Sequence, residues 1–477
     1  MRLDKKGFAI SSIIYSILIL FLLLIFGVLS LLGSRKAISD KLKNDVMDNL
    51  NGDKIEENKP IDYVDASGAS KPELTDKLIP VIYDGTVWKV ADKTQKWYDY
   101  DKQEWANAVI LNNGVTKAVG QPLDLNTDVA MMYVWIPRYE YKLPTGANGV
   151  GTTGTPDPIN IQFIDSSKTT ADIDYAIHPG FTFDSKAQNG IWIGKFETTT
   201  TDATCLSNSS SANCNKVQGI KILPNSDSLR YITPSNIFNS SRQSQTDYGL
   251  TGLDIHMSKY TEWTAVSYLT NSKYGRCTED TCTEVTINNY YKNSTTYNTI
   301  TGCAGTSISA NETTACSYTY EKKEGQLAST TGNITGVYDM SGGAYEYVMG
   351  VATSGTSFYD SSGFSSTQSP ATYDKLPNKK YYDEFGLNGL HSYLYDDLIS
   401  YNGINNFSGI LNELQIDKTQ NLNWFGDYAY SASNDGPWIV LGGYYGYTTR
   451  AGIFASYYSD GGQYGNYGSR ITITVEK

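Results

Sequence analysis

The stretch GIWIGKFETT occupies residues 190–199, and its apolar start between two glycines predicts a short β-strand. Working outward, residues 258–275 carry helical spacing, with Trp263 and Val266 on one side and Gly275 placed to end the helix. The other segments that predict strands are VAMMYVWIPRYEYKL (129–143), GVYDMSGGAYEYVMG (336–350, a turn and then a strand), WIVLGGYYG (438–446) and GSRITITVEK (468–477). Together they predict an α+β domain with many short strands and long loops.

Five segments follow the order of motifs in a known fold. They are GIWIGKFETT, TEWTAVSYL (261–269), GVYDMSGGAYEYVMG, WIVLGGYYGY (438–447) and GSRITIT (468–474). In this order they resemble the formylglycine-generating-enzyme-like branch of the C-type lectin fold. The resemblance implies one irregular C-type-lectin-like domain over residues 125–477.

The catalytic residues of that branch have no match here. Its oxidases bind copper through two cysteines just beyond the glycine-glycine strand, whereas no cysteine follows Cys316 in this chain. Its iron-dependent members use a histidine cluster, but the three histidines here lie far apart, at His178, His256 and His391. We therefore expect structural histidines, no enzymatic activity and no cofactor.

Four acidic residues near predicted turns leave two interpretations open: Asp339, Glu346, Asp383 and Glu384. Carboxylate oxygens at such turns can bind calcium. The default expectation is that they are solvated surface residues, so no metal site is predicted.

The N-terminal stretch of residues 7–33 contains no charged side chain over 27 positions. As a helix it would reach about 40 Å, which is enough to cross a bilayer. Basic residues flank it on both sides, and the chain after about residue 36 is polar. The sequence predicts a single-pass membrane protein with its C-terminal domain outside the cell.

The sequence KKGFAISSIIYSILILFLLLIF (5–26) also resembles a type IV prepilin leader. In that family a peptidase cuts after the glycine, here Gly7, and Phe8 becomes the new N-terminus. The apolar helices then pack against those of other pilin-like subunits. The family's glutamate four residues after the phenylalanine is replaced by Ser12. Pilin-like processing and a plain membrane anchor both stay open.

The whole chain is expected to form a series of units. Residues 1–50 are predicted to hold the membrane or pilin-like helix and an amphipathic stalk, and residues 51–78 a linker. Residues 79–124 are predicted to form a small β unit, with a turn at Asp84–Gly85. Its aromatic residues are expected to be core, with an exposed sugar-binding platform as the alternative: Trp88, Trp97, Tyr98, Tyr100 and Trp105.

Charge and cysteine content restrict the partners and the compartment. The formal net charge of −12 over 477 residues argues against nucleic-acid binding. Three closely spaced cysteine pairs predict three local disulfides in an oxidising compartment, with free thiols or metal binding as alternatives: Cys205 with Cys214, Cys277 with Cys282, and Cys303 with Cys316.

Tyrosine, glycine and small polar residues nearly fill the segment 442–470. This is the composition of an antibody-like binding surface. The segment resembles the variable region of proteins diversified by retroelements, which implies fixed positions at 442–443, 451–455 and 468–470. It also implies ten exposed ligand-binding candidates: Tyr444, Tyr445, Tyr447, Ser456, Tyr457, Tyr458, Asp460, Tyr464, Asn466 and Tyr467. The alternative is a tyrosine-rich loop that packs on its own domain and binds nothing.

These features favour a surface-anchored ligand-binding protein, of adhesin or receptor type, whose ligand is an unknown protein or glycan. Two other hypotheses stay open. One is a minor pilin or pseudopilin of a type IV filament or secretion system. The other is an oxidase of the formylglycine-generating type.

Overall fold

The computed structural model describes residues 18–20, 23, 61–145, 155–202, 205, 217–291, 299–305, 311–312, 316–354, 357–387, 398–401, 411–414 and 421–476. The chain divides into two compact units, Met1–Ile61 and Asp62–Lys477. In the first unit, residues 18–20 and 23 are helical and exposed. The rest of the predicted membrane segment 7–33, the processing site Gly7–Phe8 and the stalk lie outside the described residues. Over the part of the chain that is described, no helix has the length and apolar character needed to cross a membrane.

The second unit is a mixed α+β structure of mostly short strands, which confirms the predicted class. Its strands are β1 Ile79–Tyr83, β2 Trp88–Val90, β3 Asn107–Leu111, β4 Val129–Pro137, β5 Tyr139–Lys142, β6 Asn160–Phe163, β7 Ala176–Ile177, β8 Thr182–Phe183, β9 Lys186–Ala187, β10 Gly190–Gly194, β11 Thr199–Thr200, β12 Ile220–Lys221, β13 Leu253–Met257, β14 Tyr290–Tyr291, β15 Cys303–Ala304, β16 Asn311–Glu312, β17 Tyr318–Thr319, β18 Tyr345–Ser354, β19 Asp383–Leu387, β20 Leu398–Tyr401, β21 Trp438–Leu441, β22 Ser456–Ser459, β23 Tyr467–Ser469 and β24 Ile471–Val475.

In the described part of this unit, three α-helices and several 3₁₀ turns connect the strands. The α-helices are α1 Pro234–Asp247, α2 Tyr260–Thr270 and α3 Lys323–Gln326. The 3₁₀ turns are Tyr100–Lys102, Pro179–Phe181, Lys379–Tyr381, Leu411–Leu414, Trp424–Gly426 and Tyr445–Arg450.

The larger sheet has seven strands in the order β13-β24-β10-β4-β3-β1-β2, with antiparallel pairing throughout. All residues of β4 and β10 are buried. This explains why their sequences are apolar throughout and show no alternation of apolar and polar residues. Trp192 pairs with Trp135 across them. The predicted strand over 129–143 is two strands, β4 and β5, divided at Arg138.

The segment 79–124 supplies β1, β2 and β3 to this same sheet. β1 and β2 form a hairpin at Asp84–Gly85, where the Asp84 N–H donates to the Val87 carbonyl (3.1 Å) and Gly85 has a φ of +94°. β3 pairs with β4 from Asn107 to Leu111, so the sheet is continuous into the segment beyond residue 125. The predicted aromatic core is confirmed, since none of its members exceeds 7% exposure: Trp88, Trp97, Tyr98, Tyr100 and Trp105.

The second sheet has the order β20-β19-β18-β21-β22, with β23 also beside β18. β18 pairs antiparallel with β21 and parallel with both β19 and β23. Residues 345–352 of β18 are all buried, which places this strand at the centre of the sheet. The predicted turn and strand within 336–350 is confirmed, and the strand continues to Ser354.

Helix α2 confirms the helix predicted within 258–275. Every residue from Tyr260 to Thr270 is buried, and α2 contacts β10 of the larger sheet and β18 of the second. At its N-terminus the Glu262 carboxylate accepts a hydrogen bond from the Lys259 N–H (2.9 Å), which satisfies one of the free amides of the first turn.

The expectation that four acidic residues are solvated is wrong for three of them: Asp339, Glu346 and Asp383 are buried. The Thr261 N–H and Oγ1 both donate to Asp383 (2.9 Å each). The Gly302 N–H donates to Asp339 (2.8 Å). Only Glu384 lies near solvent, in an ion pair with Lys379 (2.9 Å).

Glu346 forms a buried ion pair that links the two sheets. The Arg470 guanidinium, just before β24, donates from Nε to Glu346 on β18 (2.9 Å). Arg470 also donates to the carbonyls of Gly194 (2.7 Å) and Tyr338 (2.8 Å), and Trp263 Nε1 donates to Glu346 (2.9 Å). These hydrogen bonds offset the cost of burying both charges.

Two of the three predicted disulfides are confirmed, Cys277–Cys282 and Cys303–Cys316. Cys205 is buried, and Cys214 lies outside the described residues.

Candidate functional site

The segment between β21 and β22 is held by glycine and by buried apolar residues. Gly442 and Gly443 have φ values of +82° and +71°, which L side chains rarely adopt. A Cβ on Gly443 would lie 2.6 Å from Ala451. Residues 451–455 are buried, and the Gly442 N–H donates to the Ala455 carbonyl (3.0 Å). Residues 442–443 and 451–455, which were predicted as fixed positions, therefore hold the backbone between β21 and β22 in place.

Tyr345, the first residue of β18, is the centre of a group of tyrosine rings. It is 2% exposed. Its ring centroid lies 5.1–5.9 Å from those of four tyrosines: Tyr444 (5.3 Å), Tyr447 (5.5 Å), Tyr457 (5.9 Å) and Tyr467 (5.1 Å). Most of these contacts have the edge-to-face or tilted geometry that aromatic pairs prefer.

The group continues outward from this centre. Tyr428 lies 4.7 Å from Tyr447, and Tyr430 lies 5.0 Å from Tyr457. Tyr457 stacks on Tyr458 at 4.6 Å. We call eight members the tyrosine surface, because each is half-buried or exposed: Tyr428, Tyr430, Tyr444, Tyr447, Tyr457, Tyr458, Tyr464 and Tyr467.

Tyr428 and Tyr430 were missed by the sequence analysis. They precede β21, and hydrogen bonds from their N–H groups to the carbonyls of Arg450 (3.1 Å) and Ser456 (3.1 Å) bring them beside β22. In the sequence DYAYSAS the two tyrosines are two residues apart and are surrounded by small residues. This alternation is typical of a β-strand and could have identified them.

The ten predicted binding residues are close in space but differ in exposure. The prediction that all are exposed is wrong for Tyr445 and Ser456, which are 7% and 1% exposed. The Tyr445 ring packs against that of Tyr444 (5.1 Å), and Ser456 Oγ donates to the Tyr430 carbonyl (2.9 Å). Tyr464 is 41% exposed, and its hydroxyl donates to Asp460 (2.9 Å). The other predicted residues are half-buried: Tyr444, Tyr447, Tyr457, Tyr458, Asp460, Asn466 and Tyr467.

The phenol groups of Tyr447 and Tyr464 keep their protons at ordinary pH. Burial raises the pKa of Tyr447 to about 12, and burial with the hydrogen bond to Asp460 raises the pKa of Tyr464 to about 12. Charge comes from Arg450, whose guanidinium lies 4.9 Å from the Tyr428 ring centroid, and from Asp460. The surface is therefore aromatic and hydroxyl-rich, and among the described residues Arg450 and Asp460 are charged neighbours of its rings.

Buried carboxyl groups lie next to the start of β18. Glu197 accepts a hydrogen bond from the Ala344 N–H (2.8 Å) and another from Ser228 Oγ. Burial, together with the charges of Asp339 and Glu346, raises the pKa of Glu197 well above its usual value. Burial also raises the pKa of Asp339 to about 6. These carboxyl groups are enclosed in the core and support the strand that carries Tyr345.

The histidines do not form a cluster in the described structure. His178 lies among aromatic rings, and burial lowers its pKa to about 3. His256 lies between Asp254 (3.1 Å) and Glu262 (3.2 Å). His391 lies outside the described residues. Within the described ranges, no group of three or more His, Cys, Asp or Glu side chains is placed to hold a metal ion.

Comparison with known proteins gives no match, neither to a protein-family model nor to a curated protein sequence.

Proposed function

We propose that this protein is a surface-anchored binding protein that recognises a protein or glycan ligand through the tyrosine surface. The observation that carries the proposal is the group of eight half-buried or exposed tyrosines packed around Tyr345. Tyrosine buries a large contact area at low cost in conformational entropy, and the ring contacts hold these side chains in place before a ligand arrives.

The proposal also covers the fold of the binding domain and its attachment to the membrane. The ordered motifs over residues 125–477 support a formylglycine-generating-enzyme-like C-type lectin fold. The uncharged run 7–33 supports a single membrane-spanning helix, with the C-terminal domain outside the cell. The lysine-glycine-phenylalanine sequence at the start of that run supports cleavage between Gly7 and Phe8. The composition of 442–470 supports diversification by a retroelement as the origin of the surface.

The decisive variant is the double substitution Tyr458→Ala and Tyr464→Ala. Both residues belong to the tyrosine surface, and Tyr464 is 41% exposed. Ligands would be selected on the full chain from an oligosaccharide array and a random-peptide phage library. We expect the double variant to bind at least one of the selected ligands at least about thirty-fold more weakly, because the best interface tyrosines each contribute roughly 2 kcal/mol. Affinity is measured by calorimetry, and folding by thermal melting.

Tyr175→Ala is the matched control, because Tyr175 is half-buried and its ring is outside the tyrosine surface. It should keep full affinity. The proposal is contradicted if no ligand is selected, if the double variant binds every selected ligand as the wild type does, or if the double substitution unfolds the domain.

A further inference from the structure

A cleft of about 640 Å³ lies between the β1–β3 segment and the segment 321–335. Its size is within the roughly 300–1,000 Å³ range of small-molecule sites. Its back is rigid, because Asn333 Nδ2 donates to the Gln103 carbonyl (2.9 Å) and the Trp105 N–H donates to Thr335 Oγ1 (2.9 Å). None of the residues that line it belongs to the tyrosine surface.

Core aromatic side chains also line this cleft: Trp88, Trp97, Tyr98 and Trp105. Trp97 is 7% exposed, and Tyr83, which is half-buried, adds a ring 5.4 Å from Trp88. Aromatic residues beside a few placed polar groups are the usual composition of a site for an organic ligand.

Asn107 on β3 lines the cleft and has an unused acceptor. The side chain is 2% exposed, and its Nδ2 donates to the carbonyls of Trp105 (2.9 Å) and Thr335 (2.8 Å). Its Oδ1 is buried and accepts no hydrogen bond from any residue that the structure describes. A buried acceptor without a partner destabilises the free protein, so a ligand that donates to it removes that cost in addition to making its other contacts.

Tyr98 supplies the complementary donor. Tyr98 lines the same cleft, and its hydroxyl is buried and donates its proton to no acceptor among the described residues. Burial and the nearby Asp65 raise the pKa of Tyr98 well above its usual value, so the hydroxyl keeps its proton. A ligand hydroxyl can donate to Asn107 and accept from Tyr98, which a simple cation or anion cannot do.

The charges at the rim balance each other. Lys96 and Lys102 are opposed by Glu104 and Glu321. Both lysines also pair with Asp99, Lys102 at 3.8 Å. Such a rim gives no preference for a charged ligand and offers donors and acceptors to a neutral polar one.

We propose that this cleft is a second binding site, for a neutral oligosaccharide. The half-buried ring of Tyr83 and the edge of Trp97 face apolar parts of the sugar rings. Asn107 Oδ1, Tyr98 Oη and the rim side chains hydrogen-bond the sugar hydroxyls. The site needs no metal ion.

The probe is an array of neutral oligosaccharides built from hexoses, N-acetylhexosamines, pentoses and deoxyhexoses. The full chain is kept in an amine-oxide detergent, because sugar-headed detergents would compete. We expect saturable binding of at least one sugar, measured again by calorimetry. The double variant Glu104→Ala/Gln326→Ala, on the two sides of the rim, should bind that sugar at least tenfold more weakly.

The control is Asp101→Ala/Glu324→Ala, since both side chains are exposed and neither lines the cleft. It should bind within twofold of the wild type, as should the tyrosine-surface variant. The proposal is overturned if no array sugar binds or if the rim variant keeps its affinity. It is also overturned if only the tyrosine-surface variant loses the sugar, which would assign the sugar to the other site.

Discussion

His256 is fully buried between two carboxylates, so its charge depends on its neighbours. Burial acts to lower the pKa of the imidazole, but Glu262 and Asp254 outweigh it and raise the pKa above the ordinary value. Lys259, Arg242 and Lys380 also face these two carboxylates. The stabilisation by protonated His256 is therefore complete below about pH 6.5 and is lost as the pH rises through the folded-state pKa. Urea unfolding between pH 6 and pH 9 should show this loss in the free energy of unfolding.

His256→Gln removes the titrating group and leaves both carboxylates buried. At pH 6 we expect it to lower the free energy of unfolding by about 3 kcal/mol, and the difference from the wild type should shrink as the pH rises. A difference that stays constant across this range would mean that His256 is neutral in the folded protein.

At the scale of elements, β18 and β24 are joined through Glu346 and Arg470. Glu346→Gln would leave the Arg470 guanidinium buried without its countercharge. We expect a loss of about 3–5 kcal/mol in the free energy of unfolding, measured by urea titration. Glu384→Gln on β19 is the control, because its partner Lys379 is 49% exposed and such a pair contributes at most about 1 kcal/mol. Equal losses in the two variants would contradict the structural role of the buried pair.

The elements also show what the sequence could predict. β10, α2, β18 and β24 were identified because their apolar patterns are local. The burial of Asp339, Glu346 and Asp383 could not be identified, because their partners lie elsewhere in the chain, as Arg470 does for Glu346. For the same reason Tyr428 and Tyr430 were missed: they reach the tyrosine surface only by hydrogen bonds to a later segment.

For the whole molecule, the seven-stranded sheet is continuous, and this determines how far the chain can be shortened and still fold stably. Residues 62–477 form one compact unit, in which β3 covers the edge of β4 from Asn107 to Leu111. A chain shortened to begin at residue 62 should therefore unfold in one cooperative transition. A chain shortened to begin at residue 125 lacks β1–β3, uncovers an apolar strand edge and should aggregate or melt at least about 10 °C lower. Calorimetry and light scattering on both chains measure the difference. If the shorter chain melts as the longer one does, residues 79–124 are an independent unit, and the oligosaccharide cleft beside them could be removed without loss of the tyrosine surface.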